Sequence, residues 1–175
     1  MSGFSRRGFL ALAGGGAALG SIASLRAVPA AAFATAGPTR FFAPRDREVL
    51  TAIVERMVAT GEPGAPTVRG TGTMNTIDAL CAGLDPVATA PLPALVRLVE
   101  WGPVLFERRL ARFTTLDDAG RDASLRGWMT SGLALRRIGF FALRNLAMLG
   151  YWSQDETWHL VGYGGPLLRK PRVVA

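Results

Sequence analysis

Three side chains close together near the C-terminal end, Ser153, Asp155 and His159, are of the types that make a nucleophile, an acid and a base. Their spacing argues against a triad, which needs hydrogen-bond reach from base to nucleophile. On a helix, residues six apart lie on different faces and about 9 Å apart along the axis at the 1.5 Å rise. The same residues have a plainer use: Ser153 with Gln154, Asp155 and Glu156 reads as a capping box that opens a short helix. The carboxylate pairs Asp117/Asp118 and Asp155/Glu156 suggest general acid–base work, but adjacent helical residues point apart, and both pairs fall in first turns where acids complement the helix dipole. Gly70-Thr71-Gly72 lacks the third glycine and the preceding strand of a dinucleotide loop, and no Gly-Lys step exists for a phosphate loop. His159 is the only histidine and Cys81 the only cysteine. That excludes zinc sites built on paired ligands, iron–sulfur cages, an internal disulfide and a Cys-x-x-Cys-His haem attachment. Cys81 reads as a small apolar residue buried on a helix.

The most informative motif lies at the other end. Ser5-Arg6-Arg7-Gly8-Phe9-Leu10 precedes a weakly apolar run to Leu25 and small residues ending in Ala32-Phe33-Ala34. Basic start, apolar middle and small-residue close are the order of an export signal, and Arg6-Arg7 with Phe9 and Leu10 marks the twin-arginine type, which carries folded proteins. Gly14, Gly15, Gly16 and Gly20 weaken the run and Arg26 ends it short of the roughly 20 apolar residues of a spanning helix. Cleavage after Ala34 leaves residues 35–175, a length suited to one domain. The formal charge falls from +7 to +4 as Arg6, Arg7 and Arg26 leave. The remaining excess is scattered among acids, as in Arg45-Asp46-Arg47-Glu48, so no dense basic stripe for nucleic acid emerges.

Helical periodicity dominates residues 35–175. Apolar residues recur three and four apart over Pro44 to Val58, with Pro in the first turn. Gly61 to Thr73, rich in Gly and Pro, must be a long loop. Met74 to Leu84 places Ile77, Leu80, Cys81 and Leu84 on one helical face. Asp85 to Pro93 is a second break, and Pro103 should kink or split the helical pattern from Ala94 to Phe106. A fourth helix is expected from Thr115, capped by its hydroxyl, to about Ser131. The fifth, Leu133 to about Tyr151, is apolar nearly all round, which places it centrally in a bundle or under another chain. The sixth runs from Ser153 to a stop at Gly162. No segment alternates as a strand does, so the domain reads as an all-α bundle of five to six helices.

Two Trp and two Tyr fall between Tyr151 and Pro166, an arrangement suited either to a local core or to an interface, where such rings bury one edge and keep a polar handle. The helix Leu133 to Leu149, the pair Tyr151-Trp152, then Trp158 and the ending Gly162-Tyr163-Gly164-Gly165-Pro166, resemble the C-terminal half of the gluconate 2-dehydrogenase subunit 3 family. The helix Pro44 to Val58 and the loop after it also fit that resemblance. It implies a non-catalytic accessory subunit with no cofactor of its own. The implied partner is a flavoprotein large subunit of the glucose–methanol–choline type. FAD would sit in that chain, and a cytochrome c subunit would take its electrons. The small subunit would supply the export signal for both, use the twin-arginine translocase and reside in the periplasm. The candidate partner contacts are Phe140, Phe141, Tyr151, Trp152, Trp158, Tyr163, Gly164, Gly165 and Pro166. A self-sufficient periplasmic enzyme using Ser153 or His159, or a ligand-binding helical domain, is the alternative.

Overall fold

A computed structural model describes residues 41–59 and 61–166, so the expected export signal at Arg6, Arg7, Phe9 and Leu10 lies outside the described residues. The described residues form seven α-helices and three 3-10 turns, without a strand: an all-α bundle. The helices are α1 (Pro44–Met57), α2 (Thr73–Gly83), α3 (Pro86–Thr89), α4 (Leu92–Glu100), α5 (Gly102–Phe106), α6 (Asp118–Met129) and α7 (Ala134–Trp152). Proline opens four of them, at Pro44, Pro86, Pro93 and Pro103. Its fixed φ suits the first turn, where its missing N–H is not needed.

Helix α1 packs against α4, α6 and α7, and α7 also packs on α2 and α6. Leu50, Ile53 and Val54 of α1, Ile77 of α2 and Val96 of α4 are wholly buried at their meeting. Each such side chain contributes about 1.5–3 kcal/mol of burial. Polar groups on α1 tie it to distant parts of the chain. Asp46, nearly buried, accepts two hydrogen bonds from Arg97 of α4 at 2.8 and 2.7 Å. Arg56 grips Asp122 of α6 through two nitrogens at 2.7 and 2.6 Å and reaches Asp118 at 2.8 Å. Arg47 pairs with Asp78 of α2, which also accepts the buried Phe42 N–H at 3.2 Å.

Pro103 splits the third expected helix, Ala94 to Phe106, into α4 and α5, as its ring requires. The expected break at 85–93 contains the single-turn α3, because Asp85 accepts the Val87 N–H and caps it. The fourth expected helix begins later than Thr115. The buried Glu100 carboxylate accepts from both the Thr114 N–H (3.0 Å) and its hydroxyl (2.7 Å), holding 113–115 as a 3-10 turn. Asp117 then caps α6 by accepting the Gly120 N–H at 2.8 Å.

The capping box expected at Ser153 does not form. Ser153 ends α7 and its hydroxyl donates back to the Gly150 carbonyl at 2.9 Å, while Asp155–Val161 winds as a 3-10 helix with no side-chain cap. The buried Thr157 organises that turn instead, its hydroxyl donating to the Tyr151 and Gln154 carbonyls. Gly162 stops it at φ +67°, a left-handed conformation that glycine adopts without steric cost.

Candidate partner-binding surface

The aromatic stretch divides between core and surface. Tyr151 is 1% exposed, and its hydroxyl donates to the Pro66 carbonyl at 2.8 Å. Trp152 is half-buried with its ring edge-on to Tyr151 at 5.3 Å, and its carbonyl accepts the Trp158 indole N–H at 3.0 Å. That bond folds the last turn back on α7. Tyr163 stands exposed, 5.2 Å from the half-buried Trp158 ring, followed by exposed Gly164, half-buried Gly165 and exposed Pro166. Phe140 is half-buried and Phe141 exposed, their rings 5.7 Å apart. Tyr151 therefore belongs to the core, whereas Phe141 and Tyr163 reach the surface.

No hydrogen bond joins Ser153, Asp155 and His159 among the described residues. Ser153 is occupied by Gly150 and Gln154, and Asp155 and His159 are exposed. Asp117 caps α6 and Asp118 pairs with Arg56, so these two carboxylates do not converge on one point. Cys81 is buried as expected, and burial, then the nearby Asp78 charge, push its thiol up to about 12. Among the described residues no group of three or more His, Cys, Asp or Glu side chains is placed to hold a metal. An open cleft of about 380 Å³ lies between the end of α1 and the turn near Pro66 and Val68, with Glu55 on its wall and Tyr151 among its lining residues.

Helix α7 carries two apolar faces. Gly139, Leu143, Leu146, Ala147 and Gly150 face the core. Leu135, Ile138, Phe141 and Leu149 are exposed, at 60%, 38%, 49% and 47%. Leu135, Ile138 and Phe141 step by three, each beside the next, so they form a stripe that runs obliquely across the outer side of the helix. The helix runs at the side of the bundle with this stripe open.

Near the start of that stripe lies a hub that periodicity does not reveal. Trp128, buried at the end of α6, meets the Phe106 ring edge-on at 6.1 Å. The Arg136 guanidinium lies 4.5 Å over Phe106 and 5.2 Å from Trp128. Arg136 Nε and Nη2 and the Trp128 indole nitrogen are buried without hydrogen-bond partners. The elements that carry these three side chains also expose large apolar residues, Trp101 and Leu105 around α5, Met129 at the end of α6 and Leu135 on α7. The sequence signal for this surface is the surplus of apolar positions on α7 over what one buried face can use.

No described helix is long and apolar enough to cross a membrane. No family model, curated protein or solved structure matches this chain.

Proposed function

We propose that this chain is a non-catalytic small subunit that binds a flavin-dependent sugar or alcohol dehydrogenase and travels with it through the twin-arginine translocase. One observation carries the partner-binding half: the open stripe Leu135, Ile138 and Phe141 on a helix whose other side is core. Large apolar side chains gathered on one surface favour burial against another chain. The Arg6-Arg7 motif supports the export half, and the resemblance in residues 133–166 supports the flavoprotein as partner. FAD and the reacting groups belong, in this reading, to the larger chain, and a cytochrome c subunit is its electron acceptor.

Recovering the exported full chain from the periplasm tests this. A larger chain should co-purify with flavin absorbance, and Arg6→Lys with Arg7→Lys should strand both chains in the cytoplasm. A flavin-free preparation, or normal export of the flavoprotein beside the double variant, overturns the reading.

A further inference from the structure

We infer that the face built on Arg136 docks an apolar segment of the partner bearing a carboxylate, and that the carboxylate engages the Arg136 guanidinium; this rests on the accessory-subunit reading above. Two independent observations define the occupant. The first is the unpartnered guanidinium. Arginine cannot discharge, so Nε and Nη2, buried without acceptors between Phe106 and Trp128, hold a positive charge in an apolar setting. Nη1 is the guanidinium nitrogen outside this buried set. A carboxylate fits best, because one of its oxygens accepting at Nη1 makes a charge-assisted hydrogen bond and neutralises the guanidinium.

The second observation is the charge of the surroundings. Segments 101–112 and 123–152, which supply α5, most of α6 and all of α7, contain seven arginines and a single acid, Glu107; one of the seven, Arg112, pairs with Glu100 at 3.9 Å, just outside them. Glu107 is occupied, accepting the Ser124 hydroxyl at 2.6 Å. The acids at the start of α6 are engaged elsewhere: Asp117 caps the helix, and Asp118 and Asp122 bind Arg56. A second copy of this chain would bring the same arginines to the contact and be repelled. An acidic, apolar segment of a different chain satisfies both the stripe and the charge.

A photo-cross-linking residue at Leu135 in the full chain, in cells exporting it, reads the occupant. Leu135 is 60% exposed, so replacements there leave the core intact. The expected capture is a segment of a different protein whose apolar residues are flanked by Asp or Glu, and the same probe at Val161 should not capture it. With the probe moved to Ile138, Leu135→Glu should lower the yield about tenfold and Leu135→Arg less than about threefold, because only the acid repels an acidic partner. Arg136→Gln should also cost about tenfold with the helical circular dichroism unchanged, and if that variant does not fold the Leu135 pair decides. Capture of a second copy, capture of a segment without acids, no capture, or equal loss from Leu135→Glu and Leu135→Arg overturns the assignment. The two readings fail separately. An acidic partner captured at Leu135 that carries no flavin sinks the dehydrogenase reading alone. A co-purifying flavoprotein that cross-links only from Val161 sinks this surface alone.

Discussion

Replacing Tyr151 by phenylalanine separates two roles for the aromatic stretch, as a partner contact or as part of the fold. The side chain is 1% exposed and makes one polar contact, donating its hydroxyl to the Pro66 carbonyl at 2.8 Å. Tyr151→Phe deletes that bond and nothing else, so folding should weaken by about 0.5–1.5 kcal/mol. Pro66 lines the open cleft, where water can reach the released carbonyl, which favours the lower half of that range. Tyr151→Ala also empties a ring-sized volume at the junction of α7 and the loop before α2. It loses the edge-on contact with Trp152 as well, and should cost about 3–5 kcal/mol. Urea unfolding of the full chain, followed by tryptophan fluorescence, measures both variants. Partner capture by folded Tyr151→Phe should be unchanged, because the ring stays in place at 1% exposure and the lost hydroxyl was already engaged by the Pro66 carbonyl. An unfolding midpoint equal to the parent's combined with an about tenfold loss of capture would refute the argument and place Tyr151 at the interface.

Gly150→Ala should destabilise by about 1–2 kcal/mol despite alanine's better helix propensity, because overpacking outweighs that gain; the new Cβ would sit 2.5 Å from Ile77 Cγ1 and 3.3 Å from the Thr73 carbonyl. A melting point above the parent's would refute the close approach of α2 and α7. In acid, the Arg56 guanidinium, chiefly by hydrogen bonding, holds Asp122 below the usual carboxylate value of 3.8. The stability from this pair is therefore complete above that value and is lost as pH falls through the lower folded value; Asp122→Asn should flatten the acid limb of a stability–pH curve. In alkali, burial raises Tyr151 above its usual value and Cys81 from 9.0 to about 12, so folding stability should be full below pH 9 and decline as pH climbs toward 12. Cys81 should accordingly resist a thiol reagent at neutral pH until urea unfolds the chain, and prompt labelling of the folded protein would contradict its burial.

The helices, and the prolines and glycine that bound them, are legible in the chain because they depend on neighbours three or four residues away. Pro44, Pro103 and Gly162 act through their own backbone, so their consequences follow without knowledge of the rest of the molecule. Two local readings fail, one to a group far along the chain and one to an acceptor three residues back. Thr115 loses the start of α6 because Glu100, fifteen residues earlier, grips Thr114, and Ser153 turns back to Gly150 rather than forward into a capping box. The candidate site divides in the same way. The excess of apolar residues on α7 is a property of composition and spacing. Which of its faces is core is decided by where α1, α2 and α6 pack, and that packing buries Tyr151 while leaving Leu135, Ile138 and Phe141 open. The enclosure of Arg136 between Phe106 and Trp128 joins residues 30 apart in the chain. No periodicity encodes such a contact, because it exists only once α5, α6 and α7 have met.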